Sequence, residues 1–151
     1  YLLLFTMPGM PSVYYGSEWG MEGVKVDWSD SPLRPSLDLE KLLGEAPQPD
    51  LTDAIRHLSQ LRHRLEPLKY GNYRQIFVDH QQFIFSREHG QQRIVVALNS
   101  AQQAVNVDLQ LPWKSGTLMD LLDQEYAVDI NDGSAQLQMP SSWGRIMQFR
   151  I

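Results

Sequence analysis

The sequence predicts a mainly β fold with α: a helix-and-loop portion over residues 1–70, then an antiparallel β module over 71–151. Three observations carry that prediction. Leu51, Ala54, Ile55, Leu58, Leu61 and Leu65 recur at three and four residues and so share one helix face. After Tyr70 and Gly71 the apolar period drops to two, in strand-length runs separated by turn residues. Between residues 17 and 50 periodicity is lost, and Pro32, Pro35, Pro47 and Pro49 sit among Ser, Asp and Gly.

The chain starts with the apolar run Tyr1 to Phe5, without an initiator Met or a capping residue, and reads as the tail of a helix inside a longer polypeptide. Pro8, Gly9 and Pro11 end the run far short of the roughly 20 apolar residues that a bilayer requires, so no membrane span is expected. Met10 to Tyr15 is β-branched and aromatic, closed by Gly16, and reads as a buried strand. Ser17 to Asp50 reads as one long loop, a kind that in compact domains is usually functional. Asp50 is the expected N-cap of the following helix and Pro67 its stop.

Eight strands are expected: Tyr73–Val78, Gln82–Arg87, Arg93–Leu98, Val105–Leu111, Gly116–Leu121, Tyr126–Ile130, Ala135–Met139 and Arg145–Ile151. Alternation is cleanest at Val105, Val107, Leu109, Leu111 and at Ala135, Leu137, Met139, the pattern of a sheet with one buried and one wet face. Glu88, His89, Gly90 and Asn131, Asp132, Gly133 supply hairpin turns. Short antiparallel strands at this spacing make an antiparallel all-β module.

Composition removes several function classes. A chain of 151 residues that is 42% apolar and 21% charged has the make-up of a globular protein. Its net charge of −5 comes from dispersed acids with no basic block, so nucleic acid is not an expected partner. Without cysteine there is no disulfide, thiol nucleophile or thiolate metal site, and the compartment stays open, with cytoplasm expected ahead of secretion. His57 and His63 lie six apart on a helix and share no face, and His80 and His89 add no ligand spacing, so no metal is expected in this chain. There is no phosphate loop, G-x-S-x-G elbow or fixed-period repeat.

The stretch Met7, Pro8, Gly9, Met10, Pro11, Ser12, Val13, Tyr14, Tyr15, Gly16, Ser17, Glu18 closely resembles the segment around the eighth barrel strand of the alpha-amylase family (glycoside hydrolase family 13), written P-G-x-P-x-x-Y-Y-G-x-E. Trp19, Gly20, Met21 and Leu33, Arg34, Pro35 are similar to the family's loop after that strand. Leu58, Leu61, Arg62, Leu65, Pro67, Leu68 and Tyr70 to Tyr73 resemble its eighth helix and exit. Val95 to Asn99, Asp120 to Leu122, Pro140 and Gly144 to Met147 are similar to its C-terminal sandwich. Two places depart from the pattern. Ser17 stands where relatives often carry Asp, Asn or Gln, and the frequent R-x-P-M-x-W ending is here Arg34, Pro35, Ser36, Leu37.

The resemblance implies that residues 1–70 are the end of a (β/α)8 catalytic TIM barrel (eighth strand, long loop, eighth helix) and residues 71–151 its C-terminal domain, an antiparallel β-sandwich of Greek-key type. It implies a retaining enzyme acting on α-glucosidic bonds of starch, maltodextrin or cyclodextrin, with two carboxyl groups about 5 Å apart. Those groups belong to earlier strands, so no catalytic residue is assigned here and the chain alone is expected to be inactive. A calcium ion in the rest of the barrel is compatible with the resemblance, and no cofactor is expected in this chain.

A barrel enzyme meets its substrate on the loops after its strands. The candidate substrate-binding residues are therefore Tyr14, Tyr15, Glu18, Trp19 and Arg34. As strand neighbours Tyr14 and Tyr15 are expected to face opposite sides, one packing and one presenting its ring to sugar. Glu18 serves either as support or as a sugar contact. Trp19 and Trp28 either stack on glucose or anchor the loop. Arg34 either donates to the cleft or ties the loop to the barrel. Glu22, Asp27 and Asp30 read as solvated loop acids. The expected partners are an α-glucan or maltooligosaccharide and the remainder of the barrel. The alternatives are a non-catalytic amylase-like interaction subunit, or a sandwich that itself binds carbohydrate. Self-association is expected through Tyr1 to Tyr15 and the Leu51, Ile55, Leu58 face.

Overall fold

The computed structural model describes residues 1–151. Four helices precede the strands: α1 (Leu2–Thr6), α2 (Leu39–Glu45), α3 (Pro49–Arg64) and α4 (Glu66–Tyr70). Eight strands follow: β1 (Asn72–Val78), β2 (Gln82–His89), β3 (Gln92–Asn99), β4 (Val105–Gln110), β5 (Ser115–Asp120), β6 (Ala127–Asn131), β7 (Ser134–Met139) and β8 (Trp143–Arg150). Every expected strand forms, with ends within two residues of those expected.

The strands make one antiparallel sheet in the order β1-β2-β3-β8-β5-β6-β7-β4. The sheet folds over on itself, and β5, paired to β8 on one side and β6 on the other, carries it between the two halves. Ile84, Val95, Ala97 and Met147 from one half meet Val107, Leu109, Leu118, Ile130, Leu137 and Met139 from the other in a common core. Gly116 sits where the fold is tightest. Its φ of 145° is open to glycine, and a Cβ there would lie 2.5 Å from the Phe149 ring.

The outer face of β2, β3 and β8 is covered too. Phe85, Ile94, Val96 and Ile146 pack against Leu58 and Leu61 of α3, Leu65, Leu68 of α4 and Phe5 of α1. Being buried on both faces explains why Ile94 to Ala97 is a continuous apolar run while β4 and β7 alternate. Each such leucine or phenylalanine contributes roughly 1.5–3 kcal/mol by leaving water.

Turn chemistry closes the hairpins. Asp132 (φ 48°) and Gly133 (φ 81°) are successive left-handed residues, as a two-residue primed turn between β6 and β7 requires. The β2–β3 turn falls on Gly90 and Gln91, one residue later than expected, because His89 still pairs with Gln92. A buried ion pair fixes the β5–β6 corner: Arg145 donates to Asp120 at 2.7 Å and to Gln138 O at 2.9 Å, with its guanidinium over the Tyr126 ring.

The helical portion departs from expectation in four places. Met10 to Tyr14 has no regular structure and no strand partner, so the buried strand does not form, and the barrel's last β/α unit is not seen as such. An isolated strand leaves its backbone groups without ladder partners, and no other segment here lies alongside it. α2 interrupts the expected loop, its N-cap Asp38 accepting from the amides of Glu40 and Lys41. α3 starts at Pro49 with Gln48 as N-cap, and Asp50 lies inside the first turn. α3 ends at Leu65, whose backbone is extended, and Pro67 opens α4 instead of stopping α3.

α4 packs on β2 and β3, and Gly71 then threads between Pro67 and Glu88, where a Cβ would lie 2.9 Å from Glu88 O. Leu58 is buried in this arrangement, so the α3 face expected to be sticky is largely used within the chain. No helix is long and apolar enough to cross a membrane.

Candidate functional site

The candidate site is a cleft of about 360 Å³ formed by the segment after α1 and the loop that follows it. From Met10 the chain reaches a turn at Tyr15 and Gly16, where Gly16 (φ 90°) reverses direction at an angle disfavoured for other residues. Ser17 N donates to Tyr14 O at 3.0 Å and Met21 N to Gly16 O at 3.1 Å, wrapping Ser17 to Trp19 into a tight helical turn. That turn is docked on α3: Thr52 Oγ1 donates to Glu18 O at 2.8 Å, and Gln48 N to Trp19 O at 3.1 Å. The loop then returns through a bridge between Val26 and Ser29, and a second tight turn at Ser31 to Leu33 delivers Arg34.

Tyr14, Tyr15 and Arg34 line the cleft together with Ser17, Met21, Glu22, Lys25, Asp30 and Leu33. The two tyrosines do not face opposite ways. Their ring centroids are 4.9 Å apart at 42°, because Tyr15 already belongs to the turn and strand alternation no longer applies. The Tyr15 phenol is pushed above its ordinary value, first by desolvation and then by Tyr14 beside it, while Arg34 pulls the other way. The cleft thus offers two aromatic faces, two cations, two carboxylates and the apolar Met21 and Leu33. Such a mixed surface suits a ring with C–H faces and hydroxyl edges.

Glu18 and Trp19 are placed outside that lining. Glu18 turns inward, with Oε2 buried and without a hydrogen-bond partner. Trp19 is half-buried, while Trp28 is 85% exposed at the tip of the Val26–Ser29 bridge. Of the loop acids, Glu22 and Asp30 line the cleft and Asp27 does not. Met21 and Leu33 belong to the loop singled out by its resemblance, though not as site residues, and Lys25 was not anticipated. Nothing in its residue type marks Lys25, since the loop's fold alone brings it in. No three His, Asp or Glu residues come together in a way that could hold a metal ion.

Two arginines secure the start of the segment. Arg62 Nη1 donates to Phe5 O at 2.8 Å and Met7 O at 3.1 Å, and Nη2 donates to Gly9 O. Arg87 Nη1 donates to Thr6 O at 2.6 Å and Nη2 to Gly71 O at 3.0 Å. Desolvation pushes both guanidinium groups below their ordinary value, and Arg62 adds to the effect on Arg87.

Comparison with known proteins is consistent with this geometry. The family model for the C-terminal domain of maltogenic amylase matches residues 73–143. Neopullulanase 2 of Thermoactinomyces vulgaris is 32% identical over 141 residues, which span 91% of this chain and 22% of that protein. A cyclomaltodextrinase of Thermoanaerobacter pseudethanolicus is 31% identical over 99 residues, 66% of this chain and 16% of that protein. The structure of an alpha-amylase from Geobacillus thermoleovorans, complexed with acarbose, superposes with a TM-score of 0.86 at 25% identity, covering 99% of this chain and 32% of that one. The chain therefore spans about a fifth of the length of the curated relatives it matches. Residues 73–143 match the C-terminal domain of maltogenic amylase, and fold and relatives liken the whole chain to the C-terminal part of alpha-amylase-family glycoside hydrolases.

Proposed function

We propose that this chain is the C-terminal part of a retaining glycoside hydrolase that acts on the α-glucosidic bonds of starch, maltodextrin or cyclodextrin. In this reading residues 1–70 complete a catalytic barrel and residues 71–151 are the sandwich domain behind it. The single observation that carries it is the Tyr14, Tyr15 and Arg34 cleft, built on the segment that resembles the family's eighth strand. The neopullulanase and cyclomaltodextrinase relatives support the substrate class.

Tyr14 and Tyr15 hold the apolar face of a glucose unit, and Arg34 donates to its hydroxyls. Glu18 and Trp19 act from behind, shaping the turn that carries the tyrosines. The acid and the nucleophile that break the bond lie outside these 151 residues, and so does any calcium ion. The sandwich as a glycan-binding module finds less support: Trp113 is buried against Phe149, and Trp143 lies at the start of another strand. By itself the chain associates through Tyr1, Leu3, Leu4 and Met10, which remain exposed.

The test is an assay of the full-length protein on maltooligosaccharides and cyclodextrins. Cleavage with retention is expected, and absence of any cleavage overturns the reading. Light scattering of the 151-residue chain over a concentration series is expected to show association, and a clean monomer throughout would overturn that part.

A further inference from the structure

We propose that Arg62 is a positioning residue for the tyrosine cleft: by holding the carbonyls of Phe5, Met7 and Gly9 it fixes the take-off of the segment that delivers Tyr14 and Tyr15. Apart from the Val13 side chain, which packs against the cluster of Leu58 and Leu61, the segment has little else to hold it. No amide from Gly9 to Val13 donates to a backbone carbonyl, and the next backbone bond is Ser17 N to Tyr14 O. Its far end is fixed by Thr52 and Gln48, which grip the carbonyls of Glu18 and Trp19. Both ends therefore rest on α3, one on each of its ends.

The distances involved show why both anchors matter. Thr52 and Arg62 are ten residues apart, so their Cα atoms lie about 15 Å apart along the helix axis. The nine-residue step from Gly9 to Glu18 could stretch to about 30 Å if fully extended. Such slack lets the turn wander once either end is released. A guanidinium suits the first anchor because its planar fork reaches several acceptors, whereas an ammonium is a compact point charge. Neither Arg62 nor Arg87 has a carboxylate at ion-pair distance, so the backbone carbonyls are the partners that hold them.

The role of the cleft in sugar binding rests on the function proposed above, but the anchoring does not, and the test separates the two. Residue-resolved amide hydrogen exchange is measured on the 151-residue chain, reading the bonded amides of Ser17, Trp19, Gly20 and Met21 against those of β2, β3 and β8. Arg62→Ala is expected to speed exchange at the four turn amides about tenfold while leaving the strands unchanged. Arg62→Lys is expected to fall between, and Arg56→Ala, which removes an exposed arginine of the same helix, to change nothing. The proposal is overturned if Arg62→Ala leaves the turn amides at the native rate, or speeds turn and strands equally. In the full-length enzyme, Arg62→Lys is expected to raise KM for maltooligosaccharides with little change in kcat, as lost ground-state positioning does. An equal fall in kcat and kcat/KM would overturn the positioning role. A native protein that cleaves no glucan overturns the functional reading and leaves the exchange result to decide Arg62.

Discussion

The sandwich and the lead-in before it are held by different means. From Asn72 to Arg150 the backbone is paired in ladders, and β2, β3 and β8 bury both faces. Among the first 50 residues only Phe5, Thr6 and Gly16 are buried, and a few side-chain anchors carry the rest. Stability is thus concentrated in the sandwich, and the tyrosine cleft sits where little is packed. A binding loop mounted on a rigid body gains adaptable contacts and gives up local protection.

The contrast can be broken hardest at the buried ion pair. Asp120→Ala leaves the buried Arg145 with only the half-exposed Asp123 at 3.8 Å for a counter-charge and is expected to cost about 3 kcal/mol in urea unfolding. A cost below 1 kcal/mol would show that the corner is not fixed by charge. Next comes the inner core, where Leu137→Ala is expected to cost about 2–5 kcal/mol, against at most about 0.5 kcal/mol for Leu43→Ala, which is 76% exposed in α2. Equal costs would abolish the distinction between the two regions. Asp38→Ala removes a helix cap and is expected to cost about 1 kcal/mol, seen as faster amide exchange within α2 alone.

The smallest effect is electrostatic. The Tyr15 phenol is raised, so the folded chain keeps that proton longer than the unfolded chain does. Its contribution to stability is complete below the ordinary tyrosine value near 10 and is lost as pH rises through the folded value. Tyr14→Phe removes the neighbouring phenol, the lesser cause, and should bring the Tyr15 titration, followed by tyrosine-labelled NMR, part of the way down toward the ordinary value, desolvation keeping the rest. An unchanged midpoint would mean that the two rings are not coupled.

Much of the sandwich was legible because its signal is repeated. Eight strand-length runs broken by turn residues, cleanest in alternation at β4 and β7, leave one architecture, and Asp132 with Gly133 names its own turn. The lead-in was harder to read, for physical reasons. Met10 to Tyr15 has strand composition, but composition cannot supply the neighbours that would pair it. Tyr14 and Tyr15 looked alternate only on the assumption that the strand continued through them. α2 is seven residues long among prolines, too short for periodicity to show, although Asp38 before Leu39 was its available clue. The parts played by Arg62 and Arg87 leave no trace in side-chain pairing, since both bind main-chain carbonyls from distant positions.

Gly71 has a practical consequence for anyone recombining such chains. Because the chain threads there between a helix carbonyl and a strand carbonyl with no space for a Cβ, that residue tolerates neither a linker nor a cloning scar. A sandwich grafted onto a foreign enzyme must carry Glu66 to Tyr70 with it, since Pro67 and Leu68 are seated in its outer core. The transplantable unit therefore starts upstream of the first strand, and a splice at residue 71 would strip the sheet of its own cover.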